Sequence, residues 1–269
     1  MHLQYTVFDP TGNITLLVTS AVVRSLHAQV AARLLEEEPD AEQVGFLEYT
    51  GQEQPRLQMM GGEFCGNASM SFGAWLCSKE NIPLGMTRNF QLEVSGADTP
   101  VPCAVTPLPD CMLGTVTMPL AEKIELRTFP LAEGEITLPV VFFPGICHMI
   151  ATNGTLQRHQ AQEALRRWAA ALPCQAVGLL LFDDERMHFD PLVYVKDTDT
   201  FVWERGCGSG TAAIACYLTA QRQASQCLSL KQPGGTIAAV TTWEDGEVKT
   251  LTISGTVKCG KSKTVDMMI

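Results

Sequence analysis

The stretches EFCGNASMSFGAWL at residues 63–76 and RGCGSGTAAIACYL at 205–218 set the same pattern at two places in the chain. In each, a Cys-Gly pair leads into small and apolar residues that read as the opening of a helix. Aligned without gaps, Cys65 meets Cys207, Gly66 meets Gly208 and Leu76 meets Leu218, while Asn67 faces Ser209 and Ser69 faces Thr211. The neighbouring segments recur in the same order. A helical pattern over 22–37 precedes VGFLEYT, and another over 161–172 precedes VGLLLFD. FQLEVSG follows the first window as LSLKQPGG follows the second. Val44 to Val177 is an offset of 133, Cys65 to Cys207 of 142 and Phe90 to Leu228 of 138. Such a near-constant offset predicts a duplicated α+β unit with its seam near Met118-Pro119-Leu120. The expected halves are 1–119, joined by a C-terminal strand at 260–269, and 120–259.

The rest of the chain reads mostly as short strands rich in Val, Ile, Thr and aromatics, bounded by Gly, Pro, Asn or Asp. With 269 residues, 46% of them hydrophobic, it can build one large core or two smaller ones. Nineteen Lys and Arg stand against 29 Asp and Glu, for a formal net charge of -10. That balance, with no basic cluster, argues against nucleic-acid or anionic-membrane partners. The opening MHLQYTVFDPTGN has no basic region followed by an apolar stretch, and runs such as AVGLLLF are far too short to span a bilayer. A soluble, cytoplasmic protein is expected. The ten cysteines are scattered, with no Cys-x-x-Cys pair and no His at zinc-finger spacing, so neither disulfides nor a metal site is expected. Cys77, Cys216 and Cys227 read as packing residues, and His148 in GICHMI as structural.

Two cysteines at helix starts have a chemistry of their own. A helix N-terminus offers first-turn N–H groups and the positive end of the dipole, which stabilise a nearby thiolate. Asn67 and Ser209 are good N-cap types, and the glycine after each Cys lets a ligand approach the backbone. Duplicated halves facing each other would bring Cys65 and Cys207 to opposite faces of one bound carboxylate, with both sulfurs about 3.5 Å from its α-carbon. One thiolate can then remove an α-proton while the other thiol returns a proton to the opposite face. Backbone N–H groups would hold the charge that builds on the carboxylate. This is racemisation or epimerisation by two bases, and it requires no cofactor.

The motifs TGN (11–13), CGNA (65–68), WERG (203–206) and CGSG (207–210), in that order, resemble the diaminopimelate epimerase superfamily of cofactor-independent amino-acid racemases and epimerases. The resemblance covers nearly the whole chain. It implies an α+β fold of two pseudo-symmetric halves, each a β-sheet wrapped around a central helix. It also implies Cys65 and Cys207 as the acid/base pair. Gly66, Asn67, Gly208 and Ser209 would bind the α-carboxylate, and Asn13 would lie in the pocket.

Two departures bear on the substrate. Gly206 abuts Cys207, where diaminopimelate epimerases insert a further short segment. The asparagines with which those enzymes grip the far end of diaminopimelate fall near Met60, Ile146 and Gly178, and a second zwitterionic end would be left unpaired there. EQVGF (42–46), GGEFCGNASM (61–70) and CGSGTAAI (207–214) look like the histidine racemase branch. In that reading Glu42 and Glu204 hold an imidazole or a cationic side chain, although Glu42 also reads as a solvated residue after EEEPD. The expected partner is a small amino acid, and a homodimer is compatible with the fold. Diaminopimelate epimerase, or a racemase of another amino acid, is the alternative. GCGSGT also resembles the loop of S-adenosylmethionine-dependent methyltransferases, but only 59 residues follow Gly210, too few for the sheet such a domain needs, and Cys65 would have no role.

Overall fold

The computed structural model describes residues 1–49, 51 and 54–268. Its contacts divide the chain into two compact units: residues 1–117 with those from Ser254 onward, and Met118–Ile253. Both are dominated by sheet, and the fold is α+β.

In the first unit, β1 (His2–Pro10) pairs antiparallel with β2 (Thr15–Val18). A 3-10 turn, Arg24–Leu26, and helix α1 (His27–Glu37) then carry the chain to β3 (Gln43–Glu48), which runs parallel to β2. β4 (Arg56–Met59) turns back antiparallel along β3. After helix α2 (Gly66–Lys79) come β5 (Arg88–Leu92), β6 (Val101–Pro107) and β7 (Met112–Thr117), an antiparallel ladder. The later part of the last strand, β16 (Glu247–Asp266), pairs with β1 and β7.

Apolar spacing decides the helices. α1 buries His27, Val30, Ala31 and Leu34, one stripe at helical period, against Leu3, Leu16, Val44 and Phe46. The helix expected from residue 22 begins at His27, whose ring stacks on Phe46 and bonds the Val22 carbonyl at 3.1 Å. α2 is different: it is buried on most of its surface and touches β1, β2, β4, β5, β6 and β7. Small residues make this possible. A Cβ at Gly73 would stand 2.7 Å from Cys103 Sγ, so glycine there lets β6 approach. The Ser71 hydroxyl donates to the Asn67 carbonyl at 3.0 Å, which leaves no unpaired hydroxyl at that buried position.

The second unit runs β8 (Lys123–Pro130), β9 (Glu135–Phe143), β10 (Ile146–Thr152), helix α3 (Arg158–Ala169) and β11 (Ala176–Asp183), with β11 parallel to β10. β12 (His188–Val195) pairs antiparallel with β11 and with β13 (Thr200–Trp203). Helix α4 (Gly208–Arg222), β14 (Gln226–Gln232), β15 (Gly235–Glu244) and the first part of β16 complete it. α3 starts at Arg158, three residues before the expected 161, because Gln157 and Gln160 form a reciprocal capping box. Its Leu165 and Trp168 pack into a cluster with Leu138, Met149 and Leu179. α4, like α2, is buried on most sides and touches β9, β10, β14 and β15.

The structure adds β6, β8 and β10 to the strands expected from sequence. It also joins the β-branched run LTISGTV (251–257), which by composition reads as a short strand of its own, with the C-terminal strand in the single 20-residue β16. Thr50, at the end of VGFLEYT, and Ile269 lie outside the described residues. Cys77 and Cys216 are buried as expected, whereas Cys227 is exposed, on the outward side of the alternating β14. No described helix is long and apolar enough to cross a membrane.

Candidate active site

Each unit carries one group of the expected residues. In the first, the turn after β1 places Asn13. Gly12 takes φ 90°, its N–H donates to Asp9 Oδ1 at 2.6 Å, and Thr11 N–H donates to the Thr256 carbonyl at 3.0 Å. Asn13 is thereby buried, and its Nδ2 donates to Glu42 Oε2 at the entry to β3. Gln43, the next residue, donates from Nε2 to Asn13 Oδ1 and to Thr15 Oγ1, the latter at 2.8 Å. Its Oε1 faces Cys65, whose thiol donates to it at 3.1 Å.

Cys65 is the N-cap of α2. Its backbone is extended (φ -133°, ψ 115°), its sulfur accepts from Ala68 N–H at 3.4 Å, and its carbonyl accepts from Ser69 N–H at 2.9 Å. Gly66 and Asn67 follow as the first two helical residues. The expected cap, Asn67, therefore sits inside the first turn, and the cysteine itself caps. Sulfur can do this because it reaches the third N–H in the way an oxygen cap does.

The second unit repeats the local geometry at α4. Cys207 is the N-cap (φ -106°, ψ 106°), its sulfur accepts from Gly210 N–H at 3.2 Å, and Gly208 and Ser209 open the helix. Ser209, like Asn67, lies inside the helix rather than at its cap. Cys207 is only 2% exposed, and burial pushes its thiol well above the ordinary range. The negative charge of Glu204 and its hydrogen bond to the thiol push the same way, against Ser209 and the Gly210 N–H. Glu204 is held by its backbone N–H to the Pro191 carbonyl at 3.0 Å.

Three further residues, none a sequence candidate, build this scaffold. Gln232 at the end of β14 accepts from Cys207 N–H at 2.6 Å and donates to Thr211 Oγ1 at 3.0 Å. The alternation Leu228, Leu230, Gln232 points it inward, which is the signal that could have found it. Gln43 had no such signal. His148, fully buried on β10, holds Ser209 Oγ at 2.9 Å from Nε2, and Ser209 Oγ stands 3.5 Å from Cys207 Sγ. Burial pulls the His148 ring down to about 3, so it is neutral at physiological pH. His148 thus has the polar partner that its sequence surroundings did not disclose.

Among the described residues no group of His, Cys, Asp and Glu could hold a metal ion. The glycine-rich segment at α4 follows β13, a short strand antiparallel to β12, and not the first strand of a parallel sheet. That context is not the one a nucleotide-type loop occupies.

The fold is that of racemases and epimerases. A predicted epimerase from Pseudomonas aeruginosa superposes with a TM-score of 0.69 at 12% identity, over 99% of this chain and 100% of that one. A hydroxyproline epimerase from Agrobacterium vitis, solved with bound trans-4-hydroxy-L-proline, gives 0.66 at 12% identity, over 98% and 92%. At sequence level the family model described as "Histidine racemase CntK N-terminal domain" matches residues 2–263. A histidine racemase of Staphylococcus aureus is 31% identical over 243 residues, 87% of each chain. One of Fusobacterium nucleatum is 28% identical over 240 residues, again 87% of each. The chain belongs to the histidine racemase family, and it is an isomerase.

Proposed function

We propose that this chain interconverts L- and D-histidine without pyridoxal phosphate, with Cys65 and Cys207 as its two acid/base groups. The observation that carries this reading is that both cysteines cap buried helices through their sulfurs, each with a different polar side chain on the thiol. Membership of the histidine racemase family supports the substrate.

The reaction balances without a redox partner. One cysteine, as thiolate, takes the α-proton and becomes a thiol; the other, as thiol, gives its proton to the opposite face and becomes a thiolate. Glu204, hydrogen-bonded to Cys207, is placed to take that thiol's proton and so prepare it as a base. The first-turn N–H groups at Gly66, Asn67, Gly208 and Ser209 have the character needed to hold the α-carboxylate and the charge that grows on it. Asn13 and Glu42 complete the proposed substrate side of the first unit.

The finer reading of the fold belongs here too. Antiparallel strand pair, helix, parallel strand, antiparallel strand and buried helix follow one another from β1 to α2, and again from β9 to α4 with the short strand β13 added before the helix. This recurrence supports two pseudo-symmetric halves, each wrapped around a central helix.

The test is Cys65→Ser and Cys207→Ser, each given L- or D-histidine in deuterated water. Both variants should lose racemisation by about 10²–10⁴-fold, the range of a lost acid/base group. A β-chloro amino acid, whose elimination needs one base only, should still react in one of them. Full racemisation by either serine variant would refute the pairing.

A further inference from the structure

The hydrogen bonds around Cys65 have a direction. A carboxylate only accepts, so the group that Asn13 turns toward Glu42 must be its amide Nδ2. Asn13 Oδ1 then faces Gln43, which must answer with Nε2. Thr15 Oγ1, whose own hydrogen goes to the Asn13 carbonyl at 3.1 Å, accepts the second Nε2 hydrogen at 2.8 Å. Both hydrogens of that amide are spent. Gln43 Oε1 is therefore the atom left for Cys65, and it is an acceptor 3.1 Å from the sulfur. An acceptor at that place favours S–H and opposes S⁻, against the pull of the α2 N-terminus.

We propose that Gln43 is a positioning residue that keeps the proton on Cys65 in the resting protein, its amide orientation relayed from Glu42 through Asn13. The inference rests on Cys65 being an acid/base group. It concerns one acceptor on that thiol, the Gln43 amide oxygen, as Glu204 is an acceptor on the Cys207 thiol. The substrate, by this account, meets Asn13 and Glu42 as an already ordered pair.

The experiment uses Gln43→Met, which keeps length and charge but removes the acceptor. The whole protein is alkylated with iodoacetamide across a pH series, and modification of Cys65 is followed by peptide mass mapping. At neutral pH Cys65 should react about three- to tenfold faster in Gln43→Met than in the wild type, the worth of one ordinary hydrogen bond. The two rates should converge at alkaline pH, where both thiols are ionised. A superimposable pH profile would overturn the proposal. So would a change of equal size at every pH, since that reports access to the sulfur and not its proton. Thr15→Val, which removes one of the two anchors of Nε2, should move the profile the same way by less, and serves if Gln43→Met does not fold. The readout does not depend on turnover. Active Cys65→Ser would refute the acid/base reading, whereas an unmoved alkylation profile alongside inactive Cys65→Ser would refute the role of Gln43 alone.

Discussion

Gly178 stands opposite His148 in the parallel ladder of β10 and β11, and a Cβ at residue 178 would lie 2.0 Å from His148 Nδ1. No side chain fits there unless the imidazole moves, and the imidazole holds Ser209 beside Cys207. Gly178→Ala should therefore cost about 1–3 kcal/mol of stability by overpacking and lower turnover about tenfold, as Ser209 loses its partner. Thermal melts and kcat check both. Adding His148→Ala should restore stability lost in the single variant, a coupling that a double-mutant cycle reads directly. Equal melting of Gly178→Ala and wild type would contradict the packing. The same contact bears on substrate choice, because an asparagine at this position would require the His148 imidazole to move.

His148 also ties stability to acidity. In the unfolded chain its pKa is about 6.5; in the folded protein burial lowers it to about 3. Between these values the unfolded state binds the extra proton, so stability rises with pH through that window and levels off above it. The slope from this one group is about 1.4 kcal/mol per pH unit. His148→Gln removes the titration while offering Ser209 another polar partner. Urea midpoints at several pH values from about 4 to 7.5 should show a shallower dependence in the variant. Carboxylates contribute alike to both proteins, so parallel curves would mean that His148 is protonated in the fold.

Glu204 has two effects on Cys207 that one substitution separates. Its charge and its hydrogen bond both raise the thiol, after burial. Glu204→Gln should let Cys207 ionise at lower pH, while leaving it above the ordinary thiol range because burial remains. Thiolate absorbance near 240 nm, taken as the difference from the Glu204→Gln, Cys207→Ser protein, reads this. Histidine turnover should nevertheless fall by about 10²–10⁴-fold, since a neutral amide cannot take the proton. Unimpaired turnover would remove Glu204 from the chemistry.

The contrast between legible and hidden residues follows from what each depends on. Cys65 and Cys207 could be read because their setting is local: a Cys-Gly step into small residues is itself a helix start. Even so, Asn67 and Ser209 looked like the caps by side-chain type, and the sulfurs took that place. Gln43, His148 and Gln232 act through partners far along the chain, and the register that pairs His148 with Gly178 joins residues thirty apart. The strands that escaped the pattern have physical reasons. β6 carries Pro102 and Pro107, β8 is a charged strand at the end of its sheet, and β10 is buried on successive residues without alternation. β16 looked like two strands because the apolar alternation ends at Val257 and the second expected strand opens on Gly260. There a Cβ would lie 2.8 Å from the Val7 carbonyl, beside the register shift between Thr6 and Phe8.

Substrate choice can be tested against the nearest competitor. By the resemblance, the asparagines that grip the far end of diaminopimelate fall at Met60, Ile146 and Gly178, none of which carries a side-chain amide, so in the proposed reading diaminopimelate would leave charges unpaired. An imidazole needs less. One carboxylate can accept from its N–H in a charge-assisted bond; Glu204 is hydrogen-bonded to Cys207, and Glu42 is joined to Cys65 through Asn13 and Gln43. Purified protein, without added pyridoxal phosphate, would be given each L-amino acid in deuterated water. Proton NMR would follow loss of the α-hydrogen, and chiral chromatography the appearance of the D-isomer. Histidine should exchange fastest, with LL- and meso-diaminopimelate slower by about a hundredfold or more, the discrimination available when buried polar groups are left unpaired. Efficient turnover of diaminopimelate with none of histidine would reverse the assignment and make the chain an epimerase of the longer substrate.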